Sequence, residues 1–162
     1  MSKIARERRI RQLHRQARDD RAGDYDYVRH LEMIEAIIDR MANNSFLLKG
    51  WSVTLAAGLF ALAANDTEPL FAAIAILPGL AFWGLDAYYL RQERLYRRLF
   101  EATRETRQAT GRVEPYSLAT TQFVPSVPNW FRTLWAKPVV ALHGTVALAI
   151  VTVIAFLLVP TD

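Results

Sequence analysis

Three apolar runs, each about the twenty residues that a membrane-spanning helix needs, set the limits on what this chain can fold into. They are Phe46 to Ala64, Pro69 to Leu90 (PLFAAIAILPGLAFWGLDAYYL) and Pro138 to Val159 (PVVALHGTVALAIVTVIAFLLV). Only Lys49 and Asp86 put a formal charge inside them. The link between the first two runs is NDTE plus the leading Pro69, too short for anything but an antiparallel turn. Asn65 and Asp66 suit the end of one helix and Pro69 the start of the next.

The charge lies outside these runs and is distributed unevenly. Most of the arginine falls in residues 3 to 40 and 91 to 112, whereas the NDTE link and the terminal PTD carry no Lys or Arg. Basic flanks stay on the cytoplasmic side. The N-terminus and the long middle segment are therefore expected inside, and the tight link and the C-terminus outside. The first forty residues contain no apolar run, so no signal peptide is expected. Cysteine is absent and there are three histidines, so neither a disulfide nor a closed zinc site is expected. No cofactor and no metal are expected.

Four segments follow. Residues 1–24 form a basic helix, charged on every side, lying in solvent or on a membrane surface and broken by AGD at 22–24. Residues 25–110 form a helical hairpin with spans 46–64 and 69–90. Val28, Leu31, Ile34, Ile38 and Met41 recur at spacings of three and four, a coiled-coil seam for packing on the second helix or on a copy of the chain. No Gly or Pro separates this seam helix from the first span. The second span likewise runs on to Gly111, with a stripe of Leu85, Tyr88 or Tyr89, Leu95 or Tyr96, Leu99 and Thr103. Glu93 and Arg97 form a favourable pair four residues apart. Pro78-Gly79 is expected to kink the second span midway. Residues 111–137 are a Pro-rich connector ending in NWFRTLWAKP, an interfacial helix with Asn129 as its cap. Residues 138–160 are the third span. The fold class is an all-α membrane protein: a transmembrane helical hairpin extended into the cytoplasm, plus a third transmembrane helix.

Depth assigns Lys49 a partner. Taking Thr67 as the apex, Lys49 lies eighteen residues before it and Asp86 nineteen after; Trp51 and Trp83 are each sixteen away. Antiparallel helices of equal rise place such pairs level. His143 lies five residues in from Pro138, at a similar depth. Lys49, Asp86 and His143 thus form one polar layer. Lys49 reaching only for headgroups and Asp86 sitting only at a helix end is the plainer alternative.

RMANNSFLLKGWSVTL (40–55) and FWGLDAYYLRQERLYRRLF (82–100) resemble small bacterial membrane proteins of anti-phage defence islands. The pattern is similar to accessory membrane proteins of type VI-B CRISPR systems and, in layout, to SLATT effectors. The resemblance covers about residues 25 to 105 and rests on Asn43, Asn44, Ser45, Lys49, Gly50, Trp51, Trp83, Asp86, Tyr89, Gln92 and Glu93. It implies a multi-pass protein of the bacterial inner membrane that permeabilises or depolarises it in antiviral defence, as a homo-oligomeric pore. The third span and the basic N-terminal helix lie outside it.

Three readings compete. One is the pore, a homo-oligomer larger than a dimer with Leu31, Ile34, Ile38 and Met41 in the contacts. Another is a membrane-anchored scaffold for a cytoplasmic defence-system partner, without conduction. The third is binding of RNA or anionic lipid by the basic segments; lipid is favoured because the arginines adjoin the bilayer, and direct nucleic-acid binding is not expected. No enzyme is expected: there is no Walker A loop and no Ser/His/Asp set. Arg9-x4-His14 matches a HEPN-type spacing only because arginine is dense there.

Overall fold

The structure is a computed structural model describing residues 3–66, 74–111 and 116–157. All regular elements among the described residues are helical. Helix α1 is Lys3–Asp66, α2 is Ile76–Thr110, α3 is Trp130–Leu134 and α4 is Lys137–Leu157, with a 3-10 turn at Thr121–Ser126 before α3. Two helices, α1 and α4, contain stretches long and apolar enough to cross a membrane. The span expected at 69–90 and the tip that joins it to the first lie partly outside the described residues, as do the ends of the connector and of the third run.

Helix α1 is unbroken for 64 residues, about 96 Å at 1.5 Å per residue. The break expected at Ala22-Gly23-Asp24 does not occur. A glycine within a helix costs only about 1 kcal/mol relative to alanine, and strong helix formers flank it on the N-terminal side. A salt bridge from Arg107 to Asp24 also ties this position to α2.

Helices α1 and α2 run side by side in opposite directions. Asp24 meets Arg107, Ile34 and Ile38 meet Leu99, and Ser45 and Lys49 meet Asp86. The buried stripe of α1 is His30, Ile34, Ile38, Ser45, Ser52, Ala56 and Ala63. This differs from the expected seam. Val28 is 49% exposed, Leu31 and Met41 are half-buried, and a histidine takes the place of an aliphatic residue. Ile34 and Ile38, expected to pack on the second helix or on a copy of the chain, are covered by Leu99, Tyr96 and Phe100 of α2 and by Leu118 and Phe123 of the connector. On α2, Leu85 and Tyr88 are exposed, and Asp86, Ala87, Leu95, Leu99 and Thr103 are buried.

The connector folds back over the α1–α2 pair. The His30 ring donates from Nε2 to the Ser117 carbonyl at 2.9 Å, and the Tyr116 hydroxyl donates to Asp26 at 3.0 Å. The Asp26 carboxylate raises the Tyr116 phenol pKa. Any stability this bond adds is complete below the ordinary tyrosine range near 10 and is lost as pH rises through the raised value. Tyr116 has a positive φ of 67°, an uncommon conformation for a bulky residue. Its hydroxyl bond and its contact with the His30 ring hold it there. Helix α2 closes at Gly111, also at φ 67°, whose N–H reaches the Arg107 carbonyl at 2.9 Å.

Pro78 lies in the first turn of α2, where its missing N–H removes no bond that the helix body needs. Ile74, just before α2, is helical and the helix is interrupted at Ala75; the start of the expected span lies outside the described residues. The interfacial segment is a single turn, α3, capped by Asn129 accepting from the Arg132 N–H at 2.9 Å.

A buried charge cluster as the candidate functional site

The cluster centres on Asp86, a carboxylate with no exposed surface. Ser45 and Lys49 are four residues apart on α1 and so share a face. The Lys49 ammonium donates to Asp86 Oδ1 at 2.6 Å and to Ser45 Oγ at 2.6 Å. The Ser45 hydroxyl donates to the same Asp86 oxygen. From α4, His143 Nε2 donates to Asp86 Oδ2 at 3.2 Å. Three helices thus meet at one carboxylate, and both of its oxygens are partnered. Ala87, wholly buried next to Asp86, keeps the helices close at this level.

Burying a carboxylate costs several kcal/mol unless opposite charge and hydrogen bonds offset it. Here Lys49 supplies the charge while part of its side chain stays 22% exposed. His143 is 2% exposed, and its Nδ1 has no hydrogen-bond partner among the described residues. A carboxylate only accepts, so the Nε2 that faces it carries a hydrogen.

Indole rings fix the outer edge of the cluster. Trp83, one turn before Asp86, stacks on His143 with centroids 6.1 Å apart and planes 13° apart. Its N–H donates to the Leu134 carbonyl at 3.0 Å. Trp130 donates to the Gly84 carbonyl at 3.0 Å, and a Cβ at Gly84 would come within 3.3 Å of that indole. The α3 turn is therefore pinned to α2 by two N–H groups, one from each side. Between α2 and α4 lies a cleft of about 170 Å³ lined by Ile76, Leu80, Trp83, His143, Ala147 and Ile150. It is apolar except for the imidazole.

The structure places Lys49, Asp86 and His143 in direct contact, together with Ser45. The other motif residues are scattered. Trp51 is 63% exposed, while Trp83 turns to Trp135 and His143. Gly50 has nothing within 4 Å of where a Cβ would stand. Asn43 is exposed, and Asn44 and Gln92 are half-buried. Tyr89 packs edge-on against Tyr88, and Glu93 pairs with Arg97 at 2.7 Å. Sequence reasoning misses His30 and the docking role of the α3 indoles. The signal for His30 is its position four residues before Ile34, on the buried stripe. No group of three or more His, Cys, Asp or Glu that could hold a metal occurs among the described residues.

No family model matches this chain, no curated protein matches it, and no solved structure matches it.

Proposed function

We propose that this protein is an oligomeric inner-membrane effector, a pore or membrane-disrupting assembly acting in anti-phage defence. In this reading α1, α2 and α4 cross the bilayer as a hairpin plus a third span, with the N-terminus cytoplasmic and the C-terminus periplasmic. The observation that carries it is the Asp86 cluster. Ionisable groups inside apolar spans are expensive, and they mark ion pathways or gates more often than scaffolding. The apolar faces outside the cluster are exposed at Phe46, Trp51, Leu77 and Leu80, and would face lipid or neighbouring copies. In the chain as folded, Ile34 and Ile38 of the expected seam are covered by the connector and α2, while Leu31 and Met41 stay half-buried. Copies would meet through the membrane-level faces.

The second reading, a membrane-anchored scaffold for a cytoplasmic defence partner, is favoured by the saturation of Asp86. A carboxylate whose oxygens are all taken serves as a clamp between helices, not as an open polar path. Vesicle leakage decides between them. The purified chain is reconstituted and release of a small trapped dye or ion flux is recorded, for wild type and for Lys49→Met with Asp86→Leu. Flux from wild type that is lost or altered in a folded double variant supports the pore. No flux from an inserted wild-type chain, across the ionic conditions and potentials tried, favours the scaffold.

A further inference from the structure

Among the described residues, the first twenty or so of α1 pack against no other element. Residues 6–25 are all exposed. The tie from Arg107 to Asp24 is the last α2 contact, because α2 ends at Thr110. Beyond it the helix continues alone, as an arm. The arm needs no nucleation of its own, since it propagates from a helix already fixed in the bundle.

Charge on the arm is one-sided in sign and ordered in space. Residues 3–21 hold eight Lys or Arg against three Asp or Glu, a surplus of five positive charges. Arg8, Arg11, Arg15 and Arg18 step by three and four and line a single open groove with Gln12 and His14. At 1.5 Å per residue these four guanidinium groups fall about 5 Å apart along some 15 Å of helix. The arm has only Ile4, Ile10 and Leu13 as large apolar residues, too few to seat a protein partner. It has no aromatic residue, and so lacks the stacking platform by which single strands are held.

Continuity of the helix decides which polyanion fits. This step rests on the membrane placement proposed above. Residue 21 lies 25 residues before the first span, and residue 3 lies 43 before it. An unbroken helix carries them about 37 to 65 Å from the start of the span. Headgroup charge is screened within about 10 Å of the surface. A break at Gly23 would let the arm swing back onto the lipid, but α1 runs through Gly23 without one. We propose that the Arg8, Arg11, Arg15 and Arg18 face is a docking surface for the phosphate backbone of a duplex nucleic acid in the cytoplasm, read without regard to base sequence. This reverses the preference for lipid that the sequence alone supports.

The test uses the full chain in nanodiscs of neutral lipid and a labelled short duplex of mixed sequence, followed by anisotropy over a salt series. Four phosphate contacts give a slope of log affinity on log salt of about −3.6. Replacing the four arginines with glutamine, which keeps helix propensity, should remove a slope of about three to four and weaken low-salt binding at least about tenfold. Replacing them with lysine should keep the slope. Equal binding by the glutamine variant overturns the proposal. Arginine-dependent binding to phosphatidylglycerol vesicles without duplex binding also overturns it, and makes the arm a lipid anchor. Gly23→Ala, which fills open space, should leave duplex binding intact; a loss would show that a hinge is needed and would overturn the straight-arm geometry. Flotation of the same preparation with neutral vesicles reads the membrane placement separately. A chain that floats without binding duplex overturns this proposal, whereas one that binds through the arginines without floating keeps the phosphate surface and overturns the membrane reading.

Discussion

The two most charged features of this molecule treat charge in opposite ways. Around Asp86, four polar side chains from three helices are joined in a closed set, buried except for part of Lys49. On residues 6–21 of the arm, all exposed, a surplus of four positive charges stands with no second helix beside it among the described residues. Where burial removes water, each charge must find a partner within the chain, and sequence neighbours alone cannot supply one. Lys49 and Asp86 are 37 residues apart, and Asp86 and His143 are 57 apart. Where water remains, charges need no internal partner and can be kept for an external one. The first region should therefore be sensitive to single substitutions and the second almost indifferent to them in stability.

The largest effect should come from breaking the closed set at its centre. Asp86→Leu leaves the His143 N–H and part of Lys49 desolvated without their acceptor. Removing one member of a buried pair costs about 3–5 kcal/mol. The upper end applies only if Lys49 stays in place, and its partial exposure argues for the lower end. Thermal unfolding in mild detergent, followed by circular dichroism, should show a clear drop in midpoint, whereas Arg11→Gln on the arm should show none. Equal sensitivity at the two positions would remove the contrast.

Adding the second substitution tests whether the charges act as a pair. Lys49→Met combined with Asp86→Leu should be less damaging than the sum of the two single changes, with a coupling on the order of 1 kcal/mol. That figure lies below that of fully buried pairs because Lys49 reaches solvent. Strict additivity would mean that Lys49 merely reaches for headgroups, as the plainer reading of the sequence has it.

Much of this contrast is legible in the sequence. Matched distances from Thr67 bring Lys49 and Asp86 to one level, because two antiparallel helices share a single rise per residue. His143 follows from its depth in the third run. Ser45 stands out only as part of a motif, since a serine near a helix end has many uses. Other features are not legible. The burial of His30 depends on the Ser117 carbonyl folding back onto it, along a connector whose path no periodicity encodes. A seam read from apolar residues alone falls too close to Val28, since such a count passes over a buried histidine. Gly23 reads as a break because its cost is visible in the sequence, while the compensating tie between Asp24 and Arg107 spans 83 residues.

An intermediate effect is expected at the edge of the cluster. Trp83→Phe keeps an aromatic face for His143 but deletes the N–H that holds the Leu134 carbonyl. Loss of one such bond costs about 1 kcal/mol. The α3 turn should loosen first, seen as faster hydrogen exchange at residues 130–136 with the Asp86 contacts preserved. A variant that leaves α3 exchange unchanged would show that Trp130 alone pins the turn.

The smallest effect concerns the junction between the two regions. Gly23 lies one residue before the last tie to α2, and a Cβ there would meet nothing within 4 Å. Gly23→Ala should therefore stabilise the helix locally by about 0.5–1 kcal/mol, through the backbone freedom it removes from the unfolded chain. Because the arm makes no contact that the bundle depends on, this gain should appear as slower hydrogen exchange at residues 10–24. The midpoint of global unfolding should hardly move. The Asp86 cluster, more than about 30 Å away along α1 by helical rise, should not register the change at all. A shift in global midpoint comparable to that of Trp83→Phe would mean that the arm and the bundle unfold as one unit. The charged arm would then belong to the folded core in energy, even though it packs on none of the described residues of that core.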